Sequence, residues 1–371
     1  MSNKIKTFDI LLPLVPTLLL IISVVVIYSL VFGSNESGLA FKQGVSGTIA
    51  LLIMAIISFF DYRFFRSISW VFYIITILLL AYVDFFGVAA GGAMRWINLG
   101  FFQLQPSELA KVFLILVLAS FYSSRIGKLR WKDILVAGLI FLPTLILVLK
   151  EPDLGTGLVL CFIFIVLLYA SKPNKIQNLV ITLSILIFSS ILVLSSLKVA
   201  PFTGLLHDYQ RNRILTFIDP NLDPHGKGYN VRQAQIAAGS GGIFGKGLGH
   251  GTQSQLQYLP KPQTDFIFSG IAESFGFLGT MVYLSLYAFL IVRIISIGNL
   301  AKDNYGMLIA FSVAGMLFFQ VIINVGMNLG LAPVTGIPLP FASYGGSALV
   351  AYFFLIGLVE SIYIRHKKIS F

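Results

Sequence analysis

Leu179-Val180-Ile181-Thr182-Leu183-Ser184-Ile185-Leu186-Ile187-Phe188-Ser189-Ser190-Ile191-Leu192-Val193-Leu194-Ser195-Ser196-Leu197 runs for nineteen residues without a charge. A helix of that length nearly crosses the ~30 Å of a bilayer's hydrocarbon core. Its few hydroxyls do not alternate with apolar residues as membrane-barrel strands require. Lipid admits only helices or closed barrels, so the run is a membrane helix. Similar runs recur along the 371-residue chain, which is 57% hydrophobic and 11% charged and carries 33 Phe. The fold class is therefore all-α and polytopic.

About ten transmembrane helices are expected, centred near residues 20, 51, 77, 115, 141, 162, 187, 281, 315 and 354. The first, roughly Ile10 to Phe32, is too long for a signal-peptide core and lacks a small-x-small cleavage signal, so it should remain as a span. The eighth is the least certain in extent. Asp265 to Ile297 exceeds what one crossing needs and leaves room for a tilt or an interfacial turn.

The net charge of +11 does not point to nucleic acid. With the N-terminus inside, cations such as Lys4, Arg63, Arg125, Lys172, Lys302 and Lys368 fall in cytoplasmic segments, whereas the short outer loops hold only Lys42, Arg95 and Lys150. That bias puts both termini in the cytoplasm. The lone Cys161 cannot form an intrachain bridge, which argues against redox chemistry.

Short connections suit one bundle, a single transmembrane domain over residues 1–371. The exception is a large extracytoplasmic loop between spans seven and eight, about 198–264, rich in Gly, Gln, Asn, Asp and His. Phe202, Tyr209, Ile214, Phe217, Tyr229, Ile236, Ile243, Phe244 and Tyr258 are its expected packing anchors. No internal repeat is evident.

Several constellations carry chemistry or a plainer explanation. Glu108, after Pro106, suits a helix start, but Lys111 lies a turn deeper, where a lone lysine is costly unless it pairs. The two form either a structural pair or a substrate-contacting one. Lys150, Glu151 and Asp153 cluster at a membrane boundary and read on spacing either as solvated turn residues around Pro152 and Gly155 or as part of a charged site. Arg211 and Arg213 offer guanidinium forks to phosphate oxygens, or else a solvated charge run. The glycines from Gly239 to Gly251 lack the Walker spacing, and His207, His225 and His250 lack metal-ligand spacing, which excludes a nucleotide loop and a zinc site. Asp265, after Thr264 and flanked by Phe266 and Phe268, is either a helix-capping acid or a desolvated base. Glu273, eight residues on, must face the bundle interior or a wet cavity.

Taken together, Arg95-Trp96-Ile97-Asn98, Gln105-Pro106-Ser107-Glu108, Pro152-Asp153-Leu154-Gly155-Thr156, His250-Gly251-Thr252-Gln253-Ser254-Gln255-Leu256, Tyr258-Leu259-Pro260, Thr264-Asp265-Phe266-Ile267-Phe268 and Ser343-Tyr344-Gly345-Gly346-Ser347 resemble the SEDS family of bacterial cell-wall polymerases. Gly251 to Leu256, Thr335 to Pro340 and Gly346 to Leu349 are similar to its elongation-type rather than its division-type members. One departure is visible: Glu273 is followed by Ser274, where the family often has a second acid.

The resemblance implies a peptidoglycan glycosyltransferase acting during cell elongation and shape maintenance. It would join lipid II to a nascent glycan strand through β-1,4 bonds, with inversion, on the outer face of the cytoplasmic membrane. It implies Asp265 as the catalytic acid residue and, as partners, a class B penicillin-binding protein and the elongation machinery. Arg95, Trp96, Glu108, Lys111, Asp153, Arg211, Arg213, Thr264, Glu273, Ser343 and Tyr344 are the expected substrate contacts. No dedicated cofactor is expected, although a divalent cation, Mg or Mn, could share the diphosphate's charge. The rival reading is a lipid-linked precursor flippase, which also needs many spans and intramembrane charges.

Overall fold

The computed structural model describes residues 8–32, 36, 38–90, 93–98, 100, 103–197, 199, 208–219, 223, 226–256, 258–259 and 261–366. Phe202, His207, His225 and Pro260, and the cationic tails with Lys4 and Lys368, lie outside them.

Among the described residues, ten apolar helices form the bundle, centred where the sequence places them. They are α1 (Leu11–Val31), α2 (Leu39–Phe59), α3 (Tyr62–Phe86), α4 (Pro106–Ser123), α5 (Trp131–Lys150), α6 (Leu154–Ala170), α7 (Lys175–Ser196), α11 (Ile267–Leu300), α12 (Asn304–Asn328) and α13 (Gly346–Ile364). All but the 17-residue α6 have the length and hydropathy of a membrane span. The protein is a multi-pass membrane protein. Helix α13 packs along α2 and α11 along α12, while α4 is buried nearly all round.

Between α3 and α4 lies a feature that the sequence reading did not include. Three short antiparallel strands, β1 (Val88–Ala90), β2 (Ala93–Asn98) and β3 (Gln103–Leu104), form a small sheet. Between α7 and α11 the long loop contains α8 (Asp208–Ile218), α9 (Lys227–Ser240) and α10 (Thr252–Gln255).

The anchors expected for that loop are only partly correct. Ile243 and Phe244 are 61% and 82% exposed, and Phe217, Ile236 and Tyr258 are exposed too. The loop is held instead by Val231, Ala234, Ala237 and Leu259, with Phe266 beneath. Small alanines let α9 approach α11 closely, a contact that a search for large apolar side chains misses.

The eighth span is broken at Gly276, whose backbone (φ 66°, ψ −168°) is not helical. A break in a membrane helix frees carbonyls and amides that lipid cannot satisfy. The glycine-rich loop supplies their partners. Lys246 N donates to Glu273 O and Gly247 N to Ser274 O, both at 3.0 Å, while Phe277 N and Leu278 N donate to Gly242 O and Ile243 O at 2.8 and 3.1 Å. The backbones come so close that a Cβ on Gly245 would lie 2.3 Å from Ser274 O, and one on Gly276 2.2 Å from Gly245 N. The glycines thus serve helix repair rather than phosphate binding.

Candidate active site

Five connections converge at one end of the bundle: β2, the α5–α6 turn, α8, the approach to α11 and the α12–α13 loop. Asp265 sits among them. It is not a cap: the N-cap of α11 is Phe266, with no side-chain hydrogen bond, and Thr264 Oγ1 turns back to Lys261 O at 3.3 Å.

What holds Asp265 is its backbone. Its carbonyl accepts from Asn324 Nδ2 at 3.2 Å and Asn328 Nδ2 at 3.1 Å. Asn328 Oδ1 in turn accepts from Ser269 N and Oγ, at 3.2 and 2.7 Å. Ser343 Oγ donates to Thr264 O at 2.7 Å and accepts from Leu339 N at 2.9 Å, and Tyr344 N donates to Gln263 O at 2.8 Å. Buried Gln43 fixes the far side of that loop, donating to Ser343 O at 3.1 Å and accepting from Gly345 N at 3.2 Å. Ser343 and Tyr344 therefore position the Asp265 backbone.

The carboxylate itself is half-buried and makes no hydrogen bond among the described residues. A Cβ on Gly336 (φ 74°) would lie 3.5 Å from Asp265 Oδ2 and 3.9 Å from Arg213 Nη1, so the carboxylate and the guanidinium border the same small gap. Burial raises the Asp265 pKa, opposed by Arg213, Lys261 and Arg95 and reinforced by Asp153. Arg213 is anchored by Nη1 to Val334 O at 2.9 Å, yet its Nε is buried without a partner among the described residues. Burial lowers its pKa, with Asp265 the main opposing charge.

Arg95 grips the α5–α6 turn. Its Nε and Nη2 donate to Glu151 O and Pro152 O at 2.8 and 2.6 Å, and its Nη1 lies 3.8 Å from Asp153 Oδ2. Asp153 caps α6, accepting from Thr156 N and Oγ1 at 3.1 and 3.0 Å. The turn abuts the α12–α13 loop so closely that a Cβ on Gly155 would lie 2.8 Å from Thr335 O. Asp265, Arg213, Arg95, Asp153 and Lys261 thus form one charged cluster. Lys261 was not expected.

Other expected contacts lie elsewhere. Glu108 and Lys111 form an ion pair of 2.7 Å with both side chains at most 3% exposed, and Lys111 Nζ stands 5.4 Å over the Tyr352 ring of α13. The pair is enclosed within the bundle, away from the cluster around Asp265. Glu273 is fully buried and accepts from Gln253 N (2.9 Å), Lys246 Nζ (3.2 Å), Ser240 Oγ (3.4 Å), Ser254 N (3.2 Å) and Ser254 Oγ (2.6 Å), so it anchors α10 and has no free acceptor for substrate. Arg211 Nε donates to Ser196 O at 3.1 Å, tying α8 to the end of α7. Strand alternation puts Trp96 on the opposite face of β2 from Arg95.

Sequence reasoning missed Gln43, Asn324 and Asn328. The signal was available: two asparagines at i, i+4 in an apolar span lie on one face and need partners inside the bundle.

The comparisons agree with this architecture. The family described as "FTSW_RODA_SPOVE: Cell cycle protein" matches residues 6–368. The chain is 39% identical to the peptidoglycan glycosyltransferase MrdB of Escherichia coli K12, over 99% of this chain and 98% of that protein. It is 33% identical to the peptidoglycan glycosyltransferase RodA of Treponema pallidum, over 97% and 98%. Among solved structures, a chain of a peptidoglycan synthase complex that coordinates polymerization and crosslinking matches with TM-score 0.80 and 31% identity, covering 97% of this chain and 98% of that one. Rod shape determining protein RodA of Thermus thermophilus matches with TM-score 0.69 and 28% identity, covering 96% of each chain. With agreement from end to end in both sequence and fold, the chain belongs to the FtsW/RodA/SpoVE family of cell cycle proteins and is of its RodA type.

Proposed function

We propose that Asp265 is the general base with which this chain, a peptidoglycan glycosyltransferase like its full-length relatives, polymerises lipid II during cell elongation. The observation that carries this reading is a half-buried carboxylate, free of hydrogen bonds among the described residues, facing a half-buried arginine whose Nε is buried and without a partner among them.

Asp265 takes the proton from the 4-hydroxyl of the acceptor sugar as that oxygen attacks the donor's anomeric carbon. The bond to the diphosphate breaks on the opposite face, its electrons leave with the diphosphate, and a β-1,4 link forms with inversion. Inverting glycosidases use a second carboxylic acid to protonate the leaving oxygen, but a diphosphate departs as an anion and needs none. Its charge is met by Arg213 and Arg95, fixed in advance by their bonds to backbone carbonyls. Asp153 orients Arg95. A Mg or Mn ion bound to the diphosphate would share its charge with these guanidinium groups.

In this reading both termini lie in the cytoplasm and the Asp265 cluster on the outer face of the cytoplasmic membrane, supported by the excess of cations in the connections assigned to the inside. The polymerising subunit works with a single-pass class B penicillin-binding protein that crosslinks the new strands, supported by the similarity to a chain of a synthase complex that couples the two activities. The cluster's convergence at one end of the bundle favours polymerisation over flipping, which needs a polar path across the membrane. The test is polymerisation of labelled lipid II by the purified full chain in detergent, where no sidedness exists and flipping cannot score. Glycan strands are expected. Their absence under conditions that keep the protein folded would overturn the reading.

A further inference from the structure

Glu151 has no part in the mechanism above, yet its carboxyl is as empty of hydrogen bonds among the described residues as that of Asp265, and more deeply buried. It lies just beyond the end of α5, is 2% exposed, and neither carboxyl oxygen has a hydrogen-bond partner among the described residues. This is not the solvated turn residue that its spacing suggests. Around it stand Asp84 from α3, Arg95 from β2 and Asp153 at the start of α6, while Lys150 beside it in sequence is exposed. Arg95 binds the carbonyl of Glu151 and not its carboxyl.

A buried carboxylate without donors is far costlier than the neutral acid. Burial, then the charges of Asp153 and Asp84, push its pKa up to about 8 against the pull of Arg95. Arg95 and Asp153 are also among the charges felt by Asp265 and Arg213, so Arg95 is the link from Glu151 to the place where the donor binds.

We propose that Glu151 sets the charge of the donor pocket: as a neutral acid it leaves the Arg95 guanidinium with charge to offer a diphosphate, and as a carboxylate it cancels that offer. Glu151 is thus a positioning residue that acts through Arg95, and lipid II affinity falls on the alkaline side. The inference rests on the reading of Arg95 and Arg213 as the diphosphate's contacts.

The experiment measures KM and kcat for lipid II with the purified full chain at pH 7 and pH 9, for wild type, Glu151→Gln and Arg95→Ala. Glutamine has the shape of the neutral acid and cannot ionise. The wild-type KM should rise about tenfold between the two pH values, while at pH 9 the KM of Glu151→Gln stays about tenfold below wild type. A merely structural role would not remove the pH dependence. A Glu151→Gln KM that climbs in parallel with wild type, or a wild-type KM that does not rise, overturns the proposal. Arg95→Ala separates the two layers: a raised KM at pH 7 keeps the diphosphate reading standing whatever Glu151→Gln shows, and an unchanged KM overturns that reading and the proposal with it.

Discussion

Glu273 and Asp265 are acids eight residues apart, flanking the start of one broken helix, and they live in opposite surroundings. Glu273 is fully buried and takes five hydrogen bonds from the glycine-rich loop and α10. Asp265 has its carbonyl gripped by two asparagines and its carboxylate left without a hydrogen bond among the described residues. A carboxylate whose acceptor sites are all filled is held for structure. One whose backbone is fixed while its oxygens stay open is poised to take a proton, and burial that raises its pKa makes it a better base.

The contrast can be broken at several points. The largest effect expected is on turnover: Asp265→Asn should lower kcat by about 10² to 10⁴, measured as lipid II consumed. Arg213→Ala comes next, with KM for the donor raised about 10- to 100-fold, as loss of a charge-assisted phosphate contact requires. Unchanged kinetics would remove Arg213 from the site. On the structural side, Glu273→Gln puts an amide among donors and should cost about 2–3 kcal/mol, read as a lower melting temperature in detergent. Gly336→Ala should act more mildly. Its φ of 74° makes the new side chain cost about 1–2 kcal/mol, and the methyl enters the gap between Asp265 and Arg213, so a several-fold fall in activity is expected.

The pH profile sharpens the same comparison. Because the Asp265 pKa is raised and its ionised form is the proposed base, kcat/KM should fall as pH drops through a value above the usual carboxylate range. Residual activity of Asp265→Asn should lack that limb.

How much of this was legible beforehand follows from what each feature depends on. The ten spans depend on length and absence of charge, both written locally in stretches such as Leu179 to Leu197. Even the irregular eighth span announced itself by excess length. Its break at Gly276 did not, because that glycine matters only once the loop from Gly242 to Gly247 is brought against it, more than twenty residues away in sequence. The cluster was partly legible. Arg95, Asp153, Arg213 and Asp265 came from topology and family resemblance, but neither shows that Arg211 reaches back to α7 or that Lys111 is consumed by Glu108. Glu151 was misjudged because spacing gives turn propensity and says nothing of burial. The alanines of α9 were missed because their value lies in how closely they let two backbones approach.

The central claim is that one of these two acids is for chemistry and the other for structure. Its most direct test measures lipid II turnover and melting temperature together, on Asp265→Asn and Glu273→Gln alongside wild type. Asp265→Asn is expected to melt at or above wild type, since a half-buried charge without hydrogen bonds among the described residues is removed, while its turnover collapses; Glu273→Gln is expected to melt lower. An Asp265→Asn protein that polymerises at the wild-type rate would contradict it.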